Sequence, residues 1–150
     1  MVDKHSNKKY SASRLKNPPT NSGSRVKLTS SYSVPVIDYP IFSFKYLVSG
    51  YGVNDCNDKQ AKSDLLGKLY VMSQKTWTDL EIGNHKSGAG FEKIPRKQFK
   101  TSLPVVVTED IDKLYSMRFN SLSSRLIGFR SSHIFHITHI DTNLSSYKHG

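Results

Sequence analysis

The last third of the chain alternates between apolar and polar residues in a pattern that predicts three consecutive β-strands. Successive side chains of a strand point to opposite faces of the sheet. In LYSMRF, the Tyr, Met and Phe side chains therefore share one face, and Arg118 lies on the other. In SRLIGFR, the same alternation places Arg125 and Arg130 on opposite faces. The third segment, HIFHITHI, is rich in residue types that favour strands.

The preceding part of the chain predicts one strand and one helix. Phe42, Phe44, Tyr46 and Val48 occupy alternate positions, which is typical of a strand with one buried face. A helix is predicted in the segment KQAKSDLLGKLYVMSQKTWTDLE. Its apolar stripe, expected to pack on the sheet, contains Leu66, Tyr70, Trp77 and Leu80, widened by Leu65, Leu69 and Met72. Further on, LPVVVTEDID predicts a short strand and an acidic turn.

These elements predict an α+β fold, in which a small, twisted, mostly antiparallel sheet carries one main helical layer. Residues 35–150 are expected to form a single domain. Residues 1–34 are polar, Ser-rich and interrupted by Pro, so they are expected to form a flexible, disordered basic arm. Seven basic residues and one acidic residue give this arm a charge of +6, out of +10 for the whole chain.

The high positive charge indicates a polyanionic partner. Nucleic acid is the first candidate, because each neutralised phosphate releases a counterion, and membrane lipid is the second. The chain has no apolar run long enough to span a bilayer and no apolar signal core at its N-terminus. The single cysteine, Cys56, fits a reducing compartment. We therefore expect a soluble cytoplasmic protein without a membrane partner.

A basic region with two phenylalanines follows the predicted helix. Cations bind phosphates and aromatic rings stack on bases, so this composition fits single-stranded nucleic acid. A merely solvated surface is the alternative. The residues expected to bind RNA are Lys86, Lys93, Arg96, Lys97 and Lys100, with Phe91 and Phe99 between them.

The chemistry of the chain can be narrowed by exclusion. In a regular strand, His133 and His139 would share one face and His136 would point to the other, so the three would not converge on a metal ion. The sequence has no phosphate-binding glycine loop, dinucleotide fingerprint or nucleophile elbow, and few carboxylates in the strand block. We expect neither a metal nor a cofactor. Arg, His, Lys and Tyr suffice for metal-independent RNA cleavage by a ribose 2′-hydroxyl.

The segments LYSMRF, SRLIGFR, HIFHITHID and the tail YKHG resemble the RelE/ParE/HigB superfamily of toxins from toxin–antitoxin systems. Arg118 and Arg125 stand at the arginine positions of the family pattern, and Ser124 stands where Tyr is frequent. The resemblance covers the last third of the chain and, by element order only, residues 41–80.

The RelE-like branch implies an endoribonuclease that cleaves mRNA on the ribosome, and the family implies a cognate antitoxin. The ParE-like branch implies an inhibitor of a protein such as DNA gyrase, and a nonenzymatic nucleic-acid-binding module is the third alternative. The resemblance implies phosphate and transition-state contacts by Arg118, Arg125 and Arg130. It implies proton transfer by Tyr147 and His149, with His136 in reserve. A nuclease requires these groups to converge in one concave site, whereas a binding module requires a broad basic stripe with exposed aromatics.

Overall fold

Five strands form one mixed sheet in the computed structural model, which describes residues 38–149. The strands are β1 (Ile41–Ser43), β2 (Glu92–Pro95), β3 (Lys113–Phe119), β4 (Ser124–Ser131) and β5 (Ile134–Asp141). Their order is β1-β5-β4-β3-β2, with β1 parallel to β5 and every other pair antiparallel. Two helices, α1 (Lys59–Ser73) and α2 (Trp77–Ile82), follow β1. The predicted α+β class is confirmed, and the predicted basic arm lies outside the described residues.

The three strands predicted in the last third of the chain are confirmed as β3, β4 and β5. They separate two apolar cores. One face of the sheet, here called the helix face, packs Met117, Leu126 and Phe135 against α1 and α2. The opposite face, here called the tail face, packs Ile127 against Tyr147 of the C-terminal segment. Short 3-10 helices, His85–Ser87 and Arg96–Gln98, flank β2.

The strand that was predicted to include Phe42, Phe44, Tyr46 and Val48 ends at Ser43, so the prediction is wrong beyond that residue. Phe42 packs on the helix face, Phe44 is exposed and Tyr46 packs on the tail face. The partner strand explains the early end, because β5 has one extra residue, Thr138, opposite β4. Such a bulge bends a strand and interrupts regular pairing. After a turn, the chain returns to this bulge, where the Val48 amide donates to the Thr138 carbonyl oxygen at 2.9 Å.

The predicted single helix is two helices, and its predicted apolar stripe is confirmed at Leu65, Met72, Trp77 and Leu80 but wrong at Leu66 and Tyr70. The helix ends at Ser73, and the Thr76 and Asp79 side chains form a capping box that begins α2. The break places Trp77 and Leu80 on a second helix axis. In α1 the buried residues are Ala61, Leu65 and Met72. Leu66 and Tyr70, expected to be buried, are 70% and 67% exposed.

The segment LPVVVTEDID forms turns and not the predicted strand. Arg96 holds it in place, because the guanidinium donates to the carbonyl oxygens of Val107 at 2.6 Å and Thr108 at 2.7 Å. Val107 is buried in the tail-face core, and Val105 is 97% exposed. Hydrogen bonds from the Arg96 side chain thus satisfy two carbonyl groups that a neighbouring strand would satisfy in a sheet.

Replacing Asp58 by Ala is expected to lower the free energy of unfolding by about 1 kcal/mol. Asp58 is the N-cap of α1, and its carboxylate accepts a hydrogen bond from the Gln60 amide at 2.8 Å. Urea unfolding followed by circular dichroism measures the change. Lys62→Ala, at an exposed position of the same helix, is the control and should change stability by less than about 0.5 kcal/mol. Equal effects of the two substitutions would contradict the capping role.

Within residues 38–149, no helix is both long and apolar enough to cross a membrane.

Candidate active site

Arg118, Arg125 and Asp141 lie side by side on the tail face, one on each of three adjacent strands. Arg118 of β3 is paired with Arg125 of β4, and Arg125 is paired with Asp141 at the end of β5. Directly opposed residues of neighbouring strands project to the same face of a sheet. The register of β3 and β4, which alternation within single strands does not predict, therefore places two cations next to each other.

The C-terminal segment that follows β5 is tied to Asp141. The fully buried carboxylate accepts backbone hydrogen bonds from Asn143 at 3.2 Å, Ser145 at 3.1 Å and Ser146 at 2.8 Å. It also accepts a hydrogen bond from the Ser146 hydroxyl. These bonds hold the pKa of Asp141 below its ordinary value although burial acts in the opposite direction. The carboxylate therefore stays ionised and fixes the turn.

Backbone pairing then carries the segment across the tail face. The Lys100 amide donates to the Ser146 carbonyl oxygen at 2.9 Å, and the Lys148 amide donates to the Gln98 carbonyl oxygen at 3.0 Å. Phe99 and Tyr147 form an antiparallel bridge between these two bonds. His149 is consequently placed next to the paired arginines.

A cleft of about 270 Å³ opens between the C-terminal segment and the strands. Its lining contains four of the six predicted catalytic residues. The lining residues are Glu92, Gln98, Arg118, Arg125, Tyr147, Lys148 and His149.

The Arg125 side chain is a buried cation without a carboxylate partner in the described part of the chain. Arg125 is only 5% exposed, and one terminal nitrogen donates to the carbonyl oxygens of Leu122 and Ser124 at 2.8 and 3.2 Å. The Nε atoms of Arg125 and Arg118 are both buried without a hydrogen-bond partner. Within residues 38–149, both ion pairs belong to Arg130. An uncompensated buried charge is costly, so the cleft is electrostatically suited to an anion.

His149 lies at the rim of the cleft, and its pKa is below its ordinary value. Burial is the largest cause, and the neighbouring Arg125 guanidinium lowers the pKa further. Asp141 and Glu92 act weakly in the opposite direction, and Lys100 adds the smallest lowering effect. A neutral imidazole is favoured at pH 7, and it is able to accept a proton.

Tyr147 lines the cleft with a hydroxyl that is already engaged. The residue is 2% exposed, and its hydroxyl lies 3.2 Å from the Ser116 hydroxyl. Its ring packs 5.6 Å from the Phe99 ring and 4.0 Å from the His149 ring, measured between centroids. In this position Tyr147 anchors the C-terminal segment.

The structure does not bring the other two predicted catalytic residues to the cleft. Arg130 lies on the helix face, 4.3 Å above the Trp77 ring, and pairs with Asp38 at 2.7 Å and Glu81 at 3.3 Å. His136 stacks on the Phe129 ring with centroids 4.8 Å apart, beside Tyr46. Burial and, secondarily, Lys45 lower the pKa of His136.

The residues predicted to bind RNA are dispersed. Lys93 projects to the helix face near the Tyr115 ring, and Arg96 is engaged by loop carbonyl groups. Lys86, Lys97 and Lys100 are exposed, and among these Lys100 lies near His149. The two phenylalanines predicted to stack on bases instead pack in the cores, Phe91 on the helix face and Phe99 on the tail face.

His136 and His139 were predicted to project to opposite faces of the sheet, and this prediction is wrong. The bulge at Thr138 shifts the alternation, so both project to the tail face, where His136 opposes Phe129 and His139 opposes Ile127. His139 is fully buried, with Nε2 2.9 Å from the Thr101 hydroxyl and Nδ1 2.9 Å from the Thr138 hydroxyl. Both ring nitrogens are thus engaged. The described residues contain no group of three His, Cys, Asp or Glu that could hold a metal ion.

Three cleft residues were not predicted from the sequence: Glu92, Gln98 and Lys148. The position of Glu92 could have been predicted from alternation in β2, because Glu92 and the buried Ile94 project to the same face. Gln98 enters only through tertiary pairing with the C-terminal segment. No family model, curated protein or solved structure matches the chain. The functional inference therefore rests on the geometry of the cleft.

Proposed function

We propose that the chain is a metal-independent endoribonuclease of the RelE/ParE/HigB toxin type, which cleaves mRNA on the ribosome. The observation that carries the proposal is the buried Arg125 beside Arg118, with His149 at the rim of the same cleft; Arg125 forms no ion pair with any residue in the range 38–149. Two helices on one face of a mostly antiparallel sheet also agree with what the resemblance implies.

The two arginines bind the scissile phosphate in this proposal. Planar guanidinium groups match phosphate oxygens with paired donors, and their charge stabilises the crowded phosphorane formed during cleavage. The cleft volume of about 270 Å³ accommodates one phosphodiester with an adjacent ribose. This size favours a single unpaired strand over a duplex.

The remaining cleft residues move the protons. Neutral His149 takes the proton of the 2′-hydroxyl as the bond from that oxygen to phosphorus forms. The bond from phosphorus to the 5′-oxygen breaks, and the leaving oxygen takes a proton from the Lys148 ammonium. Glu92 is the carboxylate of the cleft lining, and it offers a second proton acceptor. No step requires a metal ion.

A second candidate function, inhibition of a protein target, is favoured by the outer surface of α1. Leu66, Tyr70 and Val71 are exposed there although they are large apolar residues. Clustered exposed apolar side chains are typical of protein-binding surfaces. Under the nuclease proposal, the same surface is available to an antitoxin.

Replacing His149 by Ala is expected to lower RNA cleavage roughly 100-fold, because general acid–base catalysis contributes at least about that factor. The experiment induces each variant in bacterial cells, records growth and maps mRNA 5′ ends by primer extension. The wild type should arrest growth and produce new mRNA ends, and His149→Ala should do neither. His133→Ala, in the exposed turn between β4 and β5, is the matched control and should behave as the wild type does.

The possible outcomes separate the alternatives. Growth arrest with intact mRNA would contradict the nuclease and favour the inhibitor. No arrest by any variant would favour a nonenzymatic nucleic-acid-binding module. Cleavage by the His149→Ala variant at the wild-type level would show that His149 is not the proton acceptor.

A further inference from the structure

Asp141 is directly opposed to Arg125 on the neighbouring strand, yet the two side chains do not form an ion pair. They are paired in the register of β4 and β5, and both are buried. In a low-dielectric environment, an adjacent carboxylate and guanidinium attract each other strongly. The absence of an ion pair therefore requires that something else holds the Asp141 carboxylate.

The C-terminal segment provides that competing interaction. One carboxylate oxygen accepts from the backbone amides of Asn143 and Ser145, and the other accepts from the amide and the hydroxyl of Ser146. Four donors leave the carboxylate little capacity for Arg125. The same four bonds begin the path that brings His149 to the cleft.

We propose that Asp141 is a positioning residue of the cleft, with two linked effects. It fixes the C-terminal segment so that His149 reaches the substrate, and its engagement with Ser146 leaves Arg125 free to bind phosphate. The first effect rests on the proposed nuclease function. The second concerns anion binding alone and is testable without any cleavage.

The test compares two variants that disturb the same hydrogen bonds in different ways. Ser146→Pro removes the amide and hydroxyl donors of Ser146 and keeps the Asp141 carboxylate. The released carboxylate should pair with Arg125 and weaken the binding of inorganic phosphate about tenfold. The double variant Ser146→Pro with Asp141→Asn lacks the competing charge, and its phosphate affinity should return to within about twofold of the wild type. A tenfold change in phosphate affinity corresponds to about 1.4 kcal/mol of binding free energy.

Phosphate affinity is measured by isothermal titration calorimetry on the full chain. In the RNA cleavage assay, both variants should show a lower kcat, because the segment carrying His149 is displaced in each. Ser63→Ala, at an exposed position of α1, is the control for loss of a serine hydroxyl, and it should leave phosphate affinity and kcat unchanged. Should Ser146→Pro fail to fold, Ser146→Ala, which removes the hydroxyl alone, should show the same pattern with about a threefold loss and recovery.

Unchanged phosphate affinity in the Ser146 variants, or no recovery when Asp141→Asn is added, would overturn the proposal. A purely structural Asp141 would make the double variant bind phosphate no better than the single variant. Absence of phosphate binding by the wild type would also overturn it. If the wild type binds phosphate with the expected pattern but cleaves no RNA, the nuclease function fails and the release of Arg125 by Asp141 stands.

Discussion

Replacing Arg125 by Gln is expected to lower the rate of RNA cleavage about a thousandfold, the upper range for loss of one transition-state donor group. The buried guanidinium lines the cleft without a carboxylate partner among the described residues. Gln retains an amide that can donate to the Leu122 or Ser124 carbonyl oxygen, but it carries no charge. Loss of the charge should also abolish the binding of inorganic phosphate. Single-turnover cleavage and calorimetry measure the two effects.

Arg130→Gln provides a matched control on the same strand. Arg130 projects to the opposite face and pairs with Asp38 and Glu81. Its replacement should cost no more than about 1 kcal/mol of stability, as is usual for partly exposed ion pairs. Cleavage and phosphate binding should remain at wild-type levels. If Arg130→Gln impairs cleavage as much as Arg125→Gln does, the cleft is not the catalytic site.

Acidification from pH 7.5 to pH 4 is expected to remove roughly 3 kcal/mol of stability through His139 alone. Burial lowers the pKa of His139 from 6.5 to about 4, against a weaker opposite effect of Asp141. Below pH 6.5 the unfolded chain binds a proton that the folded protein does not yet bind. The unfolded state therefore gains relative stability as the pH falls, until the folded protein also takes up the proton near pH 4.

The measurement is urea unfolding followed by Trp77 fluorescence at several pH values between 7.5 and 4, for the wild type and for His139→Gln. Gln can still reach a threonine hydroxyl, but it does not titrate. His136 and His149, whose pKa values are also lowered, and Asp141 remain in both proteins. The difference between the two curves therefore isolates His139. If the free energies of unfolding of the two proteins change in parallel over this pH range, His139 is not the cause of the loss of stability.

The strand block and the faces of its arginines could be predicted from the sequence because both depend on alternation within single strands, whereas Tyr147 and His149 were implied only by the resemblance. Alternation predicted that Arg118 lies opposite the apolar face of its strand and that Arg125 and Arg130 lie on opposite faces, as observed. The resemblance nevertheless grouped Arg130 with the other two. The structure places Arg130 on the opposite face from Arg118 and Arg125, since residues five apart on a regular strand project to opposite faces.

Two of the remaining features depend on tertiary contacts that a local pattern does not contain, and a third was a local signal that the helix prediction did not use. The extra residue at Thr138 changes which histidines share a face. The capping box at Thr76 divides the predicted helix, although Thr and Asp at this spacing were visible in the sequence. Gln98 joins the cleft only because the C-terminal segment pairs with residues 98–100.

The parallel pairing of β1 with β5 has a consequence for how the sheet assembles. β3, β4 and β5 are joined by short turns, so their pairing closes only small loops. Ile41, by contrast, pairs with Ile134, and all the helices and three strands lie between them in the chain. Closing so long a loop is entropically expensive and is rewarded by only three paired residues. We therefore expect the three-stranded meander to form in folding before β1 pairs with its edge.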